Sequence, residues 1–277
     1  MASVPDYAPP PPAPPAEERE GGSPRWPVWG PFVAIALGLA VSITIVSVIA
    51  AVIRSAGGEV RDDDPWFTVF TTLAVDLCVV GATLAVARAT ARPAPWQFGL
   101  RRAPLGFAVG MAFIAAISVV VFSAVYSSVV DTENKQRIVQ DLGANTSTTL
   151  LVIGAVVVIV IAPLCEELFF RGFLFRVLRQ RMGFWLAAGV DGVLFGLVHG
   201  SIAILPILAV LAIALCWVYE RTGSIFPCVA IHALNNTLAY GSLTDDGWAA
   251  AGAAGALVLA ACVLVPAALP RGAPAPA

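Results

Sequence analysis

Charge is what this sequence has least of. Of its 277 residues only 12% are Asp, Glu, Lys or Arg, against 58% hydrophobic and a mean hydropathy of +0.85. A soluble globular chain carries about 25% charged residues, so an ordinary water-soluble domain is excluded and a polytopic membrane protein is indicated. Lysine is nearly missing, Lys135 standing alone beside fifteen arginines; this reads as compositional bias without functional content. There is no basic patch interleaved with aromatics and the formal net charge is −2, so nucleic acid is not an expected partner. The five cysteines (Cys78, Cys165, Cys216, Cys228 and Cys262) lie in apolar runs without Cys-x-x-Cys spacing. Neither a disulfide framework nor a cysteine metal site is expected, and small apolar fillers are. No basic stretch leads directly into an apolar run at the N-terminus, so no signal peptide is expected.

Residues 1–30 are Pro-rich, with Pro9 to Pro12 consecutive and Glu17, Glu18, Arg19 and Glu20 following. Such a stretch cannot bury enough apolar surface to order itself, and a solvated tail is predicted. A second short tail is expected over 269–277. Between them lie apolar runs near 31–53, 66–87, 105–130, 148–170, 183–200, 202–219, 224–240 and 248–268. Each is long enough for one helical crossing of a hydrocarbon core about 30 Å thick. The expected fold is therefore all-α: a polytopic membrane helix bundle of about eight transmembrane helices spanning 31–268. Trp66, Trp185, Trp217, Tyr219 and Trp248 fall near run ends and read as interfacial anchors. Arginines without acids in 88–104 and 171–181 place those loops in the cytoplasm, whereas 54–65 and 241–247 are net acidic. Alternation then puts both termini in the cytoplasm of a multi-pass protein of the plasma (cell) membrane.

Against this apolar background Glu166, Glu167 and Arg171 stand out. A charged side chain at the centre of a membrane helix costs roughly 2.5–3.5 kcal/mol on insertion scales, so intramembrane charge marks a functional site by default. Glu167 and Arg171 are four residues apart and share a helix face, so they can pair. Glu166 is rotated by about 100° and left available. The only two histidines follow in later runs, His199 four residues after Phe195 and His232 four before Asn236. In water a lone buried histidine is commonly just a satisfied core residue. In hydrocarbon an unpaired polar group finds no water, and the paired pattern reads as a site. Asp191 and Asp76 both read as acids paired in the interior, with support of the site as the alternative, nearer for Asp191 than for Asp76. Gly192, Gly196 and Gly200, with Ala188 ahead of them, form a small-residue face suited to close helix contact.

This inventory suffices to hydrolyse an amide. A carboxylate takes a proton from water, imidazole orients that water or binds a metal holding it, and imidazole and amide donors stabilise an oxyanion. No Ser-His-Asp arrangement and no His-Glu-x-x-His helix is present.

Glu-Glu-x-x-x-Arg, then Phe-x-x-x-His, then His-x-x-x-Asn on successive hydrophobic helices closely resembles the CPBP (CAAX protease and bacteriocin-processing, or Abi) family of intramembrane proteases. The residues that carry the likeness are Glu166, Glu167, Arg171, Phe195, His199, His232 and Asn236. Arg171 to Phe175 and Phe98 to Arg102 also look like the family, and the likeness covers about 96–240, with a catalytic core near 148–240. The resemblance implies an endopeptidase in which Glu166 is the base activating water, helped by His199. It implies that His232 and Asn236 bind water, metal or oxyanion, and that Glu167, Arg171 and Phe195 support the site. Glu166, His199 and His232 could hold a divalent metal such as zinc, or act on a metal-free water.

The expected partner is a membrane-embedded or lipidated peptide or protein within the bilayer. Two other classes compete. One is a family member without catalysis, acting in peptide immunity or as a membrane scaffold. The other is a proton-coupled transporter, against which stands the lack of paired inverted halves.

Overall fold

The structure, a computed structural model, describes residues 26–61, 64–91, 93–130, 147–243 and 247–269. Of the predicted tails, 1–30 and 269–277, residues 1–25 and 270–277 lie outside the described residues, as do the loop 131–146 and residues 244–246. So does that part of the orientation reading which rests on them.

Among the described residues the chain is helical throughout, with eight long helices and no strand. In chain order they are α1 (Gly30–Ser55), α2 (Pro65–Thr90), α3 (Leu105–Ser127), α4 (Thr148–Arg179), α5 (Phe184–Val198), α6 (Leu205–Thr222), α7 (Ile225–Leu243) and α8 (Gly247–Ala268). Six are long and apolar enough to cross a membrane. The other two are α5, with 15 residues, and α7, whose hydropathy is lowered by His232, Asn235 and Asn236. Local chemistry sets several starts. Pro65 opens α2, and the Asp64 carboxylate accepts from the backbone N–H of Trp66 at 2.8 Å and of Phe67 at 3.2 Å. Ser147 caps α4 in the same way through Leu150 N–H.

The central helix is α4: 56% of its most apolar window is buried, against 17–22% for α1, α2, α3 and α8. It is also irregular. Two π-helical segments, Val156–Ile161 and Phe170–Phe175, interrupt it. Pro163 explains the first. A proline ring collides with the carbonyl four residues back, here Ile159, and the widened turn opens the helix at that point. The predicted span stopped at 170, before Arg171; the helix instead runs to Arg179 because Arg171 is neutralised inside the protein, as described below. The longer helix also sets the depth of the site. Glu166 lies about 20 Å above Arg179 and His199 about 22 Å above Phe184 at 1.5 Å per residue, so the two reach one level.

The arginine-rich end is stitched together. Arg181 Nη2 donates to Trp26 O at 2.8 Å, Arg102 Nε to Pro266 O at 2.6 Å and Arg101 Nε to Gly223 O at 2.7 Å. Ile225 N–H donates to Gly99 O at 3.0 Å, and Arg179 pairs with Glu220 at 2.6 Å. Residues 26, 99–102, 179–182, 220–225 and 266 therefore share one end of the bundle. Trp26, inside the segment read as tail, is fully buried between Phe98 and Phe173, with ring centroids 5.1 and 5.0 Å away. Trp66, Trp185 and Trp248 are exposed as anchors should be, but Tyr219 is buried, its hydroxyl accepting from Arg176 at 3.4 Å.

The small-residue face divides in two. A Cβ on Gly192 would come within 2.9 Å of Ala209 O, and one on Gly196 within 2.9 Å of Leu205 Cγ, so these glycines let α6 approach α5. Gly200 does something else: its φ of +71° ends α5 in a left-handed turn that a side chain would strain. Gly192→Val is expected to destabilise the protein by about 1–3 kcal/mol, since the backbone it meets cannot swing aside. A lowered melting temperature in detergent measures it, and an unchanged one would show that the α5–α6 contact yields freely.

Candidate active site

The polar groups singled out from the sequence converge from three helices. From α4, Glu167 and Arg171 point into the protein and are completely buried. Glu167 Oε1 receives Arg171 Nη1–H at 2.8 Å and His232 Nδ1–H, from α7, also at 2.8 Å. Arg171 Nη2 donates to Ala212 O at 3.1 Å and lies 3.6 Å from Asp191 Oδ1. Its guanidinium carbon stands 5.0 Å from the Phe195 ring centroid. Asp191, fully buried, also accepts from Cys216 Sγ at 3.3 Å. One cation thus sits between two carboxylates, which is what allows all three to be removed from water.

The two imidazoles are held alike. His199 Nδ1 lies 2.7 Å from Phe195 O. A carbonyl oxygen only accepts, so Nδ1 carries the hydrogen and Nε2 presents its lone pair. His232 Nδ1 likewise donates to the Glu167 carboxylate, turning its Nε2 toward Glu166. Phe195 lies between them, its ring centroid 4.8 Å from that of His199 and 5.5 Å from that of His232. The aromatic four residues before His199 therefore spaces both histidines.

Glu166 is the exception to this tight pairing. Its Oε2 has no hydrogen-bond partner and stands 3.8 Å from His232 Nε2. That is too long for a direct hydrogen bond, and because Oε2 is itself buried, a water touches both groups only once the Glu166 side chain turns toward the cavity. Among the described residues no hydrogen bond or ion pair joins His199 to Glu166. The imidazole of His232 stands beside the available carboxylate, and that of His199 lines the same cavity.

Asn236 is engaged in structure. Its Nδ2 donates to Val158 O at 2.9 Å, satisfying a carbonyl of the first π segment, and its Oδ1 accepts from Asn235 at 3.3 Å. One amide hydrogen remains for another acceptor. The π segment and Asn236 thus fix α7 against α4. The Phe98 to Arg102 stretch fixes the start of the same helix, because Gly99 O and the Arg101 side chain bind the α6–α7 turn.

Glu166, His199, His232 and Asn236 all line one cavity of about 660 Å³. Its other walls are largely apolar and come from α1, α2 and the start of α6. Asp76 of α2 lies on this cavity too, 8% exposed, and its Oδ2 has no hydrogen-bond partner. Its expected pairing in the interior is not found, since no hydrogen bond or ion pair engages it among the described residues. Sequence reasoning could see Asp76 only as an intramembrane acid; nothing in its spacing ties α2 to Glu166.

Among the described residues no group of three His, Cys, Asp or Glu side chains is disposed to hold a metal ion. Glu166 and His232 face each other, and His199 lines the same cavity.

Comparison with known proteins points to the same stretch. Residues 148–238 match the family model described as Type II CAAX prenyl endopeptidase Rce1-like. Over 98 residues the chain is 31% identical to a Bacillus subtilis (strain 168) protein named "Putative membrane peptidase YdiL". That alignment covers 34% of this chain and 40% of the relative. No solved structure matches. The matched stretch contains every motif residue from Glu166 to Asn236, so the CPBP likeness read from those residues and the family match concern one segment of a multi-pass helical membrane protein.

Proposed function

We propose, taking the membrane-peptidase likeness of residues 148–238 as premise, that this protein is an intramembrane endopeptidase cutting a membrane-associated peptide with water activated by Glu166. The observation that carries the reading is the unpartnered Glu166 Oε2, 3.8 Å from His232 Nε2 on a cavity of about 660 Å³. With the Glu166 side chain, 21% exposed, turned to the cavity, a water between the two groups donates one hydrogen to the carboxylate and the other to the Nε2 lone pair. Glu166 takes the proton as the water oxygen bonds to the peptide carbonyl carbon. The free Asn236 amide hydrogen is available to the resulting oxyanion. His199, its Nδ1–H committed to Phe195 O, presents Nε2 to the substrate side. Glu166 then returns the proton to the amide nitrogen as the C–N bond breaks, giving an amine and a carboxylic acid. Glu167 and Arg171 act through His232, holding its tautomer and ring.

The same reading places the arginine-rich end, and with it both termini, in the cytoplasm of a plasma-membrane protein. In this reading protein groups alone hold the water, and the described residues include no three-ligand group.

The test is cleavage of labelled peptides, prenylated and unprenylated, by purified protein in detergent. Chelator is expected to leave the rate within about twofold. His232→Ala is expected to lower kcat by about 10²-fold or more through loss of the water-binding nitrogen. Loss of activity to chelator with recovery on adding a divalent cation would replace this water route by a metal-bound one. Full activity in His232→Ala would remove the site.

A further inference from the structure

We infer that Asp76 and the α2 face beside it form a subsite for a cationic side chain of the substrate, so that the enzyme selects peptides with lysine or arginine near the cut. This rests on the reading of the cavity as the place where the peptide lies.

The cavity has one sign of charge. Its ionisable groups are Glu166, Asp76, the Cys165 thiol and the two histidines, and neither lysine nor arginine is among the described residues that line it. The one arginine close behind the site, Arg171, is completely buried and already held by Glu167 and Asp191. Asp76 is itself more than nine-tenths buried, lies on the cavity and lacks any partner for Oδ2. A carboxylate withdrawn from water without a partner is costly. A cation brought by the substrate removes that cost.

The hydrogen-bonding character of the wall agrees. Thr72 is one helical turn before Asp76, and both Thr71 and Thr72 line the cavity. Their hydroxyl hydrogens are spent on Thr68 O, each at 2.9 Å. What they turn outward is lone pairs. With the Asp76 carboxyl, the α2 face around Thr71 and Thr72 offers acceptors, and the hydroxyl of Thr68 is the one side-chain donor that α2 adds to the wall among the described residues. An ammonium carries three donors and no acceptor, and so complements the acceptors; a carboxylate has acceptors only and meets the Asp76 carboxyl. Around this polar strip lie Ile35, Leu39 and Val79, suited to the methylene stem of a lysine, which buries its chain and keeps its charge for a polar partner.

The substrate class follows. An internal segment carrying a basic residue fits this cavity. A tail whose free C-terminal carboxylate lies within a few residues of the cut meets two carboxyls and no cation, which selects against it by like-charge repulsion.

The test measures binding by the full chain carrying Glu166→Gln, in detergent, so that cleavage does not intervene. Three fluorescent peptides of leucine and alanine are compared, identical except for a central lysine, norleucine or glutamate. The lysine peptide is expected to bind at least about tenfold more tightly than the norleucine peptide, and the glutamate peptide more weakly than either. Adding Asp76→Asn should bring the lysine-to-norleucine ratio to about one, while Asp76→Glu should keep it. Thr72→Val, which preserves side-chain shape, should lower the ratio by about two- to threefold and serves if Asp76→Asn does not fold. A ratio near one with Asp76 in place, or a ratio that survives Asp76→Asn, overturns the inference. Cleavage by the wild-type protein is scored separately. Peptides bound with the lysine preference but never cut would leave Asp76 as a cation site and remove the endopeptidase reading. Peptides cut without preference would do the reverse.

Discussion

Glu166→Gln is expected to lower kcat for any cleaved peptide by about 10²- to 10⁴-fold with little change in KM. Glutamine has the shape of the carboxyl but cannot take a proton, so the water beside His232 Nε2 loses its base while the cavity keeps its form. Folding should not suffer, because Glu166 Oε2 makes no hydrogen bond that the variant could lose. The neighbouring Glu167 is a sharp contrast: its Oε1 holds both Arg171 and His232. Steady-state cleavage of labelled peptides, beside thermal melting of the same preparations, checks both halves. A rate within about twofold of wild type would end Glu166's role as base. A scaffold or immunity protein without catalysis would tolerate the same change, and its binding would survive.

Arg171→Met is expected to cost about 3–5 kcal/mol of stability. The guanidinium is the one cation set between Glu167 and Asp191, and all three residues are completely buried. Without it two carboxylates face each other in the bundle interior, and the carbonyl of Ala212 also loses its donor. Unfolding titrations in detergent read the loss. Adding Asp191→Asn to Arg171→Met should recover part of it, since one of the stranded charges is then gone; the pair is in contact and will not be additive. A single-variant loss below about 1 kcal/mol would mean that water or lipid headgroups reach this cluster. Both variants probe one arrangement from opposite sides: Glu166 is kept free for chemistry because Glu167, next to it in sequence, is fully occupied.

The bundle was legible in the sequence because apolar run length is a direct consequence of bilayer thickness. Runs read at 66–87 and 248–268 meet helices at Pro65–Thr90 and Gly247–Ala268. The pairing of Glu167 with Arg171 was legible as well, since four residues along a helix is a fixed displacement. The end of α4 was not. A hydropathy argument stops at Arg171, and only the Asp191 carboxylate and the Ala212 carbonyl, 20 and 41 residues further along, make a buried guanidinium tolerable. For the same reason the π segments, Gly200 as a turn rather than a contact, and Tyr219 as a buried residue rather than an anchor depend on neighbours that spacing does not reveal.

What the sequence determined by itself is the set of groups that must face inward: two acids, two histidines and an amide among residues that water does not reach. Hydrocarbon leaves such groups no other solvent, so their burial together could be inferred without coordinates. Tertiary structure alone decided how they are shared out. It set His232 beside Glu166 with His199 on the same cavity, committed the Asn236 amide to Val158 O, and brought Asp76 to that cavity. Those outcomes turn on distances of a few ångströms between separate helices, set by glycine contacts and π turns.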